Sequence, residues 1–194
     1  MTAILAEFGV SAMANPIEID DAIVLLLGAG VDQGGRARIE GVTRLEKLIF
    51  LLERETHSDQ WLSEDAEFVA YNFGPFSRKV YDAVDTLAAA GIITDSARFA
   101  PDDMDTWEER EAITDKSDNG YSYTTRDFEL TDRGWRYFAA LDEEMKPEAL
   151  KELTSFKARF APLPLRQLVR YVYQRYDEFT TNSLIRDDIL GHHS

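Results

Sequence analysis

Two adjacent cations, Arg78 and Lys79, follow Ser77 and open a stretch in which Val80, Val84 and Leu87 recur at helical spacing. Cations in the first turn of a helix can reach phosphate oxygens or base edges when that helix lies in a major groove. Arg44 and Lys47, from an earlier helix-periodic stretch, have the right types to hold phosphates beside it. Asp82 and Asp85 on the same helix oppose this use. So does the net charge of −15, because such a chain is repelled by a polyphosphate unless its basic residues gather on one face. Arg78 and Lys79 can equally pair with those acids or with a protein partner.

A second group is aromatic. Tyr71, Phe73 and Phe76 surround the sequence Tyr-Asn-Phe-Gly-Pro-Phe-Ser. Either they form an apolar anchor with a charged rim, the composition of a protein-binding hot spot, or some of them, Phe73 or Phe76 first, are core residues. A third group lies near the C-terminus, where Arg166, Arg170 and Arg175 alternate with Tyr173 and other apolar residues. This stripe can hold an acidic surface of the same chain or of a second copy, which makes a homodimer through that helix one expectation.

Enzyme chemistry has little to stand on. The three histidines are His57, His192 and His193, and the last two are next to the final residue. No H-E-x-x-H, G-x-S-x-G or phosphate-loop pattern occurs, and the lone Gly34-Gly35 pair is too short for one. The acid pairs Asp20-Asp21, Asp102-Asp103, Glu108-Glu109 and Asp187-Asp188 are sequence neighbours, which diverge on a helix and make poor joint ligands. No catalytic residue, cofactor or metal is therefore expected.

The elements that position these residues follow from composition and periodicity. A chain of 194 residues with 44% hydrophobic content can bury one ordinary core. It has no cysteine, so disulfides and thiolate metal sites are excluded, and a cytoplasmic protein is expected. No apolar run approaches the roughly 20 residues that span a bilayer, so no membrane partner is expected. Residues 1–15 lack a basic leader and read as a flexible N-terminus.

Residues 16–30 read as a first helix buried on most of its circumference, with Ile19, Ile23, Leu26 and Leu27 as its stripe. Residues 31–41 read as a loop. Residues 42–55 read as a second helix with Leu45, Leu48, Ile49 and Leu52 inward. Thr43 and Glu46 there have capping-box spacing, and Arg44, Lys47 and Arg54 interleave with acids on a solvated face. A turn at Gly74-Pro75 leads into the third helix, which Ser77 caps and Gly91 stops. Residues 92–99 and 121–130 read as the strands of a wing, joined by an acidic insert at 101–120. Thr131 then caps a helix to Asp142 with Trp135, Phe138 and Leu141 inward. Helices follow over 147–160 and 165–176, the latter with Leu168, Val169, Val172 and Tyr173 inward. A last short helix runs from Thr180 to Leu190.

Three of these segments carry a family resemblance: Val-Thr-Arg-Leu-Glu-Lys-Leu-Ile-Phe-Leu-Leu at 42–52, the turn and helix at 68–93, and Phe-Glu-Leu-Thr-Asp-Arg-Gly-Trp-Arg-Tyr-Phe at 128–138. In order and spacing they resemble small prokaryotic winged-helix proteins, closest to the Panacea antitoxin-type domain and its relatives. The resemblance covers about a third of the chain. It implies a mainly α fold with a small antiparallel β wing, a winged helix-turn-helix with extra C-terminal helices. The winged-helix domain would span 16–142, with a helical extension at 143–190 packed on it or on a second copy. It also implies an antitoxin- or adaptor-like regulator that binds a partner protein. The alternative is a DNA-binding transcriptional regulator with residues 77–90 as recognition helix. The candidate partner- or DNA-binding residues are Arg44, Lys47, Tyr71, Phe73, Phe76, Arg78 and Lys79, and the tail-packing or dimer candidates are Arg166, Arg170 and Tyr173.

Overall fold

The computed structural model describes residues 16–31, 38–96 and 126–191. The expected flexible N-terminus, the whole acidic insert at 101–120 with the adjoining ends of both expected wing strands, and His192 and His193 lie outside the described residues.

Eight apolar or small residues make Ile19–Gly28 (α1) the most buried of the described helices, with only Asp20 partly open among its ten residues. Asp21 accepts the Glu18 backbone N–H at 3.1 Å and the Tyr137 hydroxyl, which ties the helix start to a later helix. At the other end, the Lys157 ammonium donates to the carbonyls of Leu27 and Ala29, so a cation satisfies the last carbonyls of α1. Pro16 precedes the helix rather than sitting in its first turn, and Ile17 bridges to Leu62.

Residues 38–40, expected as loop, form a strand (β1, Arg38–Glu40). Its pairing partner is β5 (Asp127–Leu130), which also pairs with β4 (Ile93–Asp95), so the sheet is antiparallel in the order β1-β5-β4. Phe128 and Leu130 alternate inward from β5, as the period-2 pattern requires. Between β1 and β4 come α2 (Val42–Glu55), a single 3-10 turn at Ser58–Gln60, a hairpin of β2 (Val69–Tyr71) and β3 (Gly74–Phe76), and α3 (Arg78–Ala89). After β5 the chain is helical: α4 (Asp132–Glu144), α5 (Pro147–Phe160), α6 (Leu165–Arg175), a 3-10 turn at Asp177–Thr180 and α7 (Arg186–Leu190). The last helix therefore starts at Arg186 rather than Thr180. Of its expected apolar residues Ile185 and Ile189 are buried, while Leu184 is exposed. No described helix is long and apolar enough to cross a membrane.

The caps follow local rules. Ser77 Oγ accepts the Val80 N–H at 3.2 Å, and Thr131 Oγ1 accepts the Gly134 N–H at 3.0 Å. The expected capping box at Thr43 and Glu46 does not form, because the N-cap of α2 is Gly41, two residues before Thr43. Glu46 instead turns across to accept the Ser77 N–H at 3.0 Å.

The C-terminal extension folds against its own chain. Phe50 of α2 meets Phe68, Tyr176 and Phe179 edge-on, with centroids 4.9 to 5.1 Å apart. Glu55, at the end of α2, accepts hydrogen bonds from Tyr171 and Tyr176 and pairs with Arg175 at 3.0 Å. Helix α2 is thus covered on part of the face expected to be solvated: Glu46 and Lys47 are buried with the leucines, while Arg54 is exposed as expected.

Candidate functional site: the hairpin and the start of α3

The residues that could meet a partner converge where the β2–β3 hairpin leans on α2 and α3. The turn comes earlier than expected, at Asn72-Phe73, with Gly74 and Pro75 already in the second strand. Gly74 pairs with Tyr71 and has φ +91°, a conformation open to glycine. A Cβ there would also stand 2.7 Å from the Tyr173 ring, so the hairpin and α6 approach closely through this one position. Pro75 lies opposite Ala70, whose carbonyl takes the Asn182 side-chain amide at 3.1 Å.

The hairpin divides its side chains cleanly. Phe73 and Pro75 are buried, so Phe73 is core, as one of the two sequence expectations had it. Val69 and Tyr71 face outward, 55% and 48% exposed, and the half-buried Phe76 lies across from Val69. The Tyr71 and Phe76 rings are 5.0 Å apart, and Phe76 and Tyr81 of α3 are 5.4 Å apart. Three aromatic rings therefore run in a row from hairpin to helix, beside a cleft of about 400 Å³ whose lining also includes Lys47, Arg78, Asp82, Asp85 and Arg126.

The four cations proposed for phosphate do not form one basic face. Lys47 is buried; its ammonium donates to the Pro75 carbonyl at 2.8 Å and lies 3.7 Å from Glu46. Arg44 donates to the carbonyls of Ala161 and Leu163 beyond α5, and burial lowers its pKa from the usual value. Lys79 is held by Glu67 at 2.9 Å and Glu64 at 3.1 Å and also donates to the Asp65 carbonyl. Those bonds, to Glu67 first, hold its pKa above the ordinary lysine value. Arg78 is 80% exposed and meets Asp82 one turn on at 3.1 Å. The solvated basic face expected from Arg44 and Lys47 is thus corrected: the hairpin and the segment after α5 cover it.

Arg126 and Tyr81 are the cleft residues that sequence reasoning did not single out for the site. Arg126 precedes β5 and reaches Asp95 at 2.8 Å and Asp85 at 2.7 Å. Burial works against its charge, but the hydrogen bonds to Asp95 and Asp85 outweigh it and raise the guanidinium above its usual value. Arg126 pins the start of β5 to α3. Tyr81 follows Val80 of the apolar stripe in sequence, but its ring row needs the hairpin to be in place.

The tail candidates are structural in this chain. Arg166 and Arg170 donate to the carbonyls of Asp188 and Ile189 in α7, at 3.0 and 2.8 Å. Tyr173 is buried, with its hydroxyl 2.8 Å from Ser183 Oγ. Together with Leu168, Val169 and Val172 it is packed inside its own fold.

Behind the site, Glu53 accepts the Ala66 N–H at 2.7 Å, and burial pushes its carboxyl up to about 7. A carboxyl raised from its unfolded value of 4.5 binds more protons when folded, so it takes stability away as pH rises from about 4.5 to 7. Glu53→Gln keeps the acceptor and removes the charge. Its stability relative to the parent is expected to improve by about 2 kcal/mol between pH 4.5 and pH 8. Urea denaturation at the two pH values reads this directly, and an equal difference at both would place Glu53 in water.

Comparison with known proteins finds no matching family model, no matching curated protein and no matching solved structure.

Proposed function

We propose that this chain is a non-catalytic, cytoplasmic winged helix-turn-helix regulator, akin to the Panacea antitoxin-type domain, that works by holding a partner protein against the hairpin and α3. The fold part of the reading rests on topology: helix, strand, two helices, then two strands, with the first strand beside the last in the order β1-β5-β4. The connection from α2 to α3 is longer than a tight helix-turn-helix joint and carries the hairpin. One observation carries the functional part. The described cations around α3 are largely committed to acids and carbonyls, while an apolar row, Val69, Tyr71, Phe76 and Tyr81, is left at the surface. Large apolar side chains grouped at a surface and rimmed by charge mark protein-binding sites.

The test is a photo-crosslinker, benzoylphenylalanine, placed at Tyr71 and, as control, at the exposed Ser155 of α5 in the source cells. A partner protein is expected to couple at the first position and not the second. The purified partner is then expected to bind the parent at least about tenfold tighter than Tyr71→Ser. If no protein couples specifically at the hairpin, the reading fails.

The DNA-binding alternative keeps one favourable observation, the exposed Arg78 in the first turn of α3. With Asp82 and Asp85 close by, few phosphates can be neutralised. Random duplex is accordingly expected not to bind at physiological salt. Micromolar binding that persists there and disappears in Arg78→Ala would favour the alternative.

A further inference from the structure

The cleft beside the aromatic row carries carboxylates among its lining. Two of them are largely open to water: Asp82 is 61% exposed and Asp85 67%. Their cationic neighbours are uneven. Arg78 is exposed, and its ion pair with Asp82 at the surface contributes little. Arg126 is mostly buried and held also by Asp95. Each carboxylate has more acceptor positions than its present donor fills. Aromatic faces beside open carboxylates favour an incoming ammonium or guanidinium, which gains from the ring quadrupole and from the acids together. The whole-chain charge of −15 steers the same kind of ligand toward the protein.

We infer that the partner segment held in this cleft is basic and amphipathic, with apolar side chains on Val69, Tyr71 and Phe76 and a Lys or Arg placed over Tyr81 against Asp82 and Asp85. This inference rests on the partner-binding reading and adds to it the charge of the occupant. Approach of a guanidinium or ammonium to Asp82 would displace Arg78, an exposed side chain free to swing outward.

The probes are a synthetic amphipathic leucine–lysine peptide and its leucine–glutamate counterpart, titrated into the full chain by fluorescence polarisation and by backbone amide shifts. The lysine peptide is expected to bind, to shift the amides of 69–71 and 76–85 before others, and to lose about tenfold in affinity in Tyr71→Ser and in Asp82→Asn. The glutamate peptide is expected not to bind. Three results each overturn the inference: no binding of the lysine peptide, shifts scattered over other acidic surfaces with affinity unchanged in both variants, or equal binding of the glutamate peptide. Both substituted residues are exposed, and the shift map on the parent does not depend on either variant folding. A crosslinked partner whose docked segment proves acidic overturns this inference alone; the absence of any crosslinked partner overturns the reading beneath it.

Discussion

Lys47→Met is expected to cost about 3 to 5 kcal/mol of stability, the range for breaking a buried ion pair from one side. The methionine fills much the same space, so packing contributes little to the loss. What changes is the charge. Glu46 is 4% exposed, and its carboxylate would remain in the core without the ammonium at 3.7 Å. The Pro75 carbonyl would also lose its donor at 2.8 Å, which loosens the hairpin from α2. Adding Glu46→Gln to Lys47→Met removes the stranded charge, and the double variant is expected to be more stable than the single one. Such non-additivity is the signature of two groups acting as a pair. Urea denaturation of the four proteins measures it, and hydrogen exchange at the hairpin amides reports the loosening. A Lys47→Met protein that unfolds with the parent would show that Lys47 stands in water.

The second large effect is expected at Gly134, one helical turn into α4. Glycine to alanine in a helix ordinarily gains up to about 1 kcal/mol from propensity. Here the sign reverses. A Cβ at this position would overlap the Ile92 carbonyl oxygen and sit 3.2 Å from Leu130 Cδ2, so α4 could not lie as close to the start of β4. The same carbonyl takes the Thr131 backbone N–H at 3.1 Å, so the obstacle is backbone that is already fixed. Gly134→Ala is expected to lose about 3 kcal/mol, the upper part of the range for overpacking a tight contact. Thermal and urea unfolding both read the loss, and a gain in stability would mean that the helix has room to move away.

What could be read from the residues was local. The apolar spacing of α1, α2 and α3 is a property of each stretch alone, and so are the caps at Ser77 and Thr131, whose partners are three residues away. By propensity alone Gly134 weakens its helix, and only the packing of α4 on Ile92 explains its presence. Strand β1 was missed because three residues are too few to display alternation and its ladder partner is far along the chain; Arg38 meets Asp127 across 89 residues. Lys47 and Arg44 were misplaced for the same reason. A charged residue off a leucine stripe reads as solvated unless something distant covers it, and here the Pro75 carbonyl and the carbonyls of Ala161 and Leu163 do so. At the candidate site the aromatic types were legible in the Tyr-Asn-Phe-Gly-Pro-Phe-Ser sequence. The alignment of Tyr71 and Phe76 with Tyr81, and the reach of Arg126 to Asp85, required the hairpin to fold back onto α3.

The clustering of Tyr171, Arg175 and Tyr176 on Glu55 has a bearing on how the protein is made. A nascent chain leaves the ribosome in order, and Glu55 and Tyr176 are separated by 121 residues. Until the segment after α6 has been made, Phe50 has neither Tyr176 nor Phe179 against it, and part of the apolar face of α2 waits in the open. Long waits of this kind expose apolar surface to aggregation and to chaperones. A premature stop between α5 and Tyr176 would therefore release a product in which this face of α2 stays uncovered, so the cell's quality control, rather than any loss of a binding residue, would set its abundance.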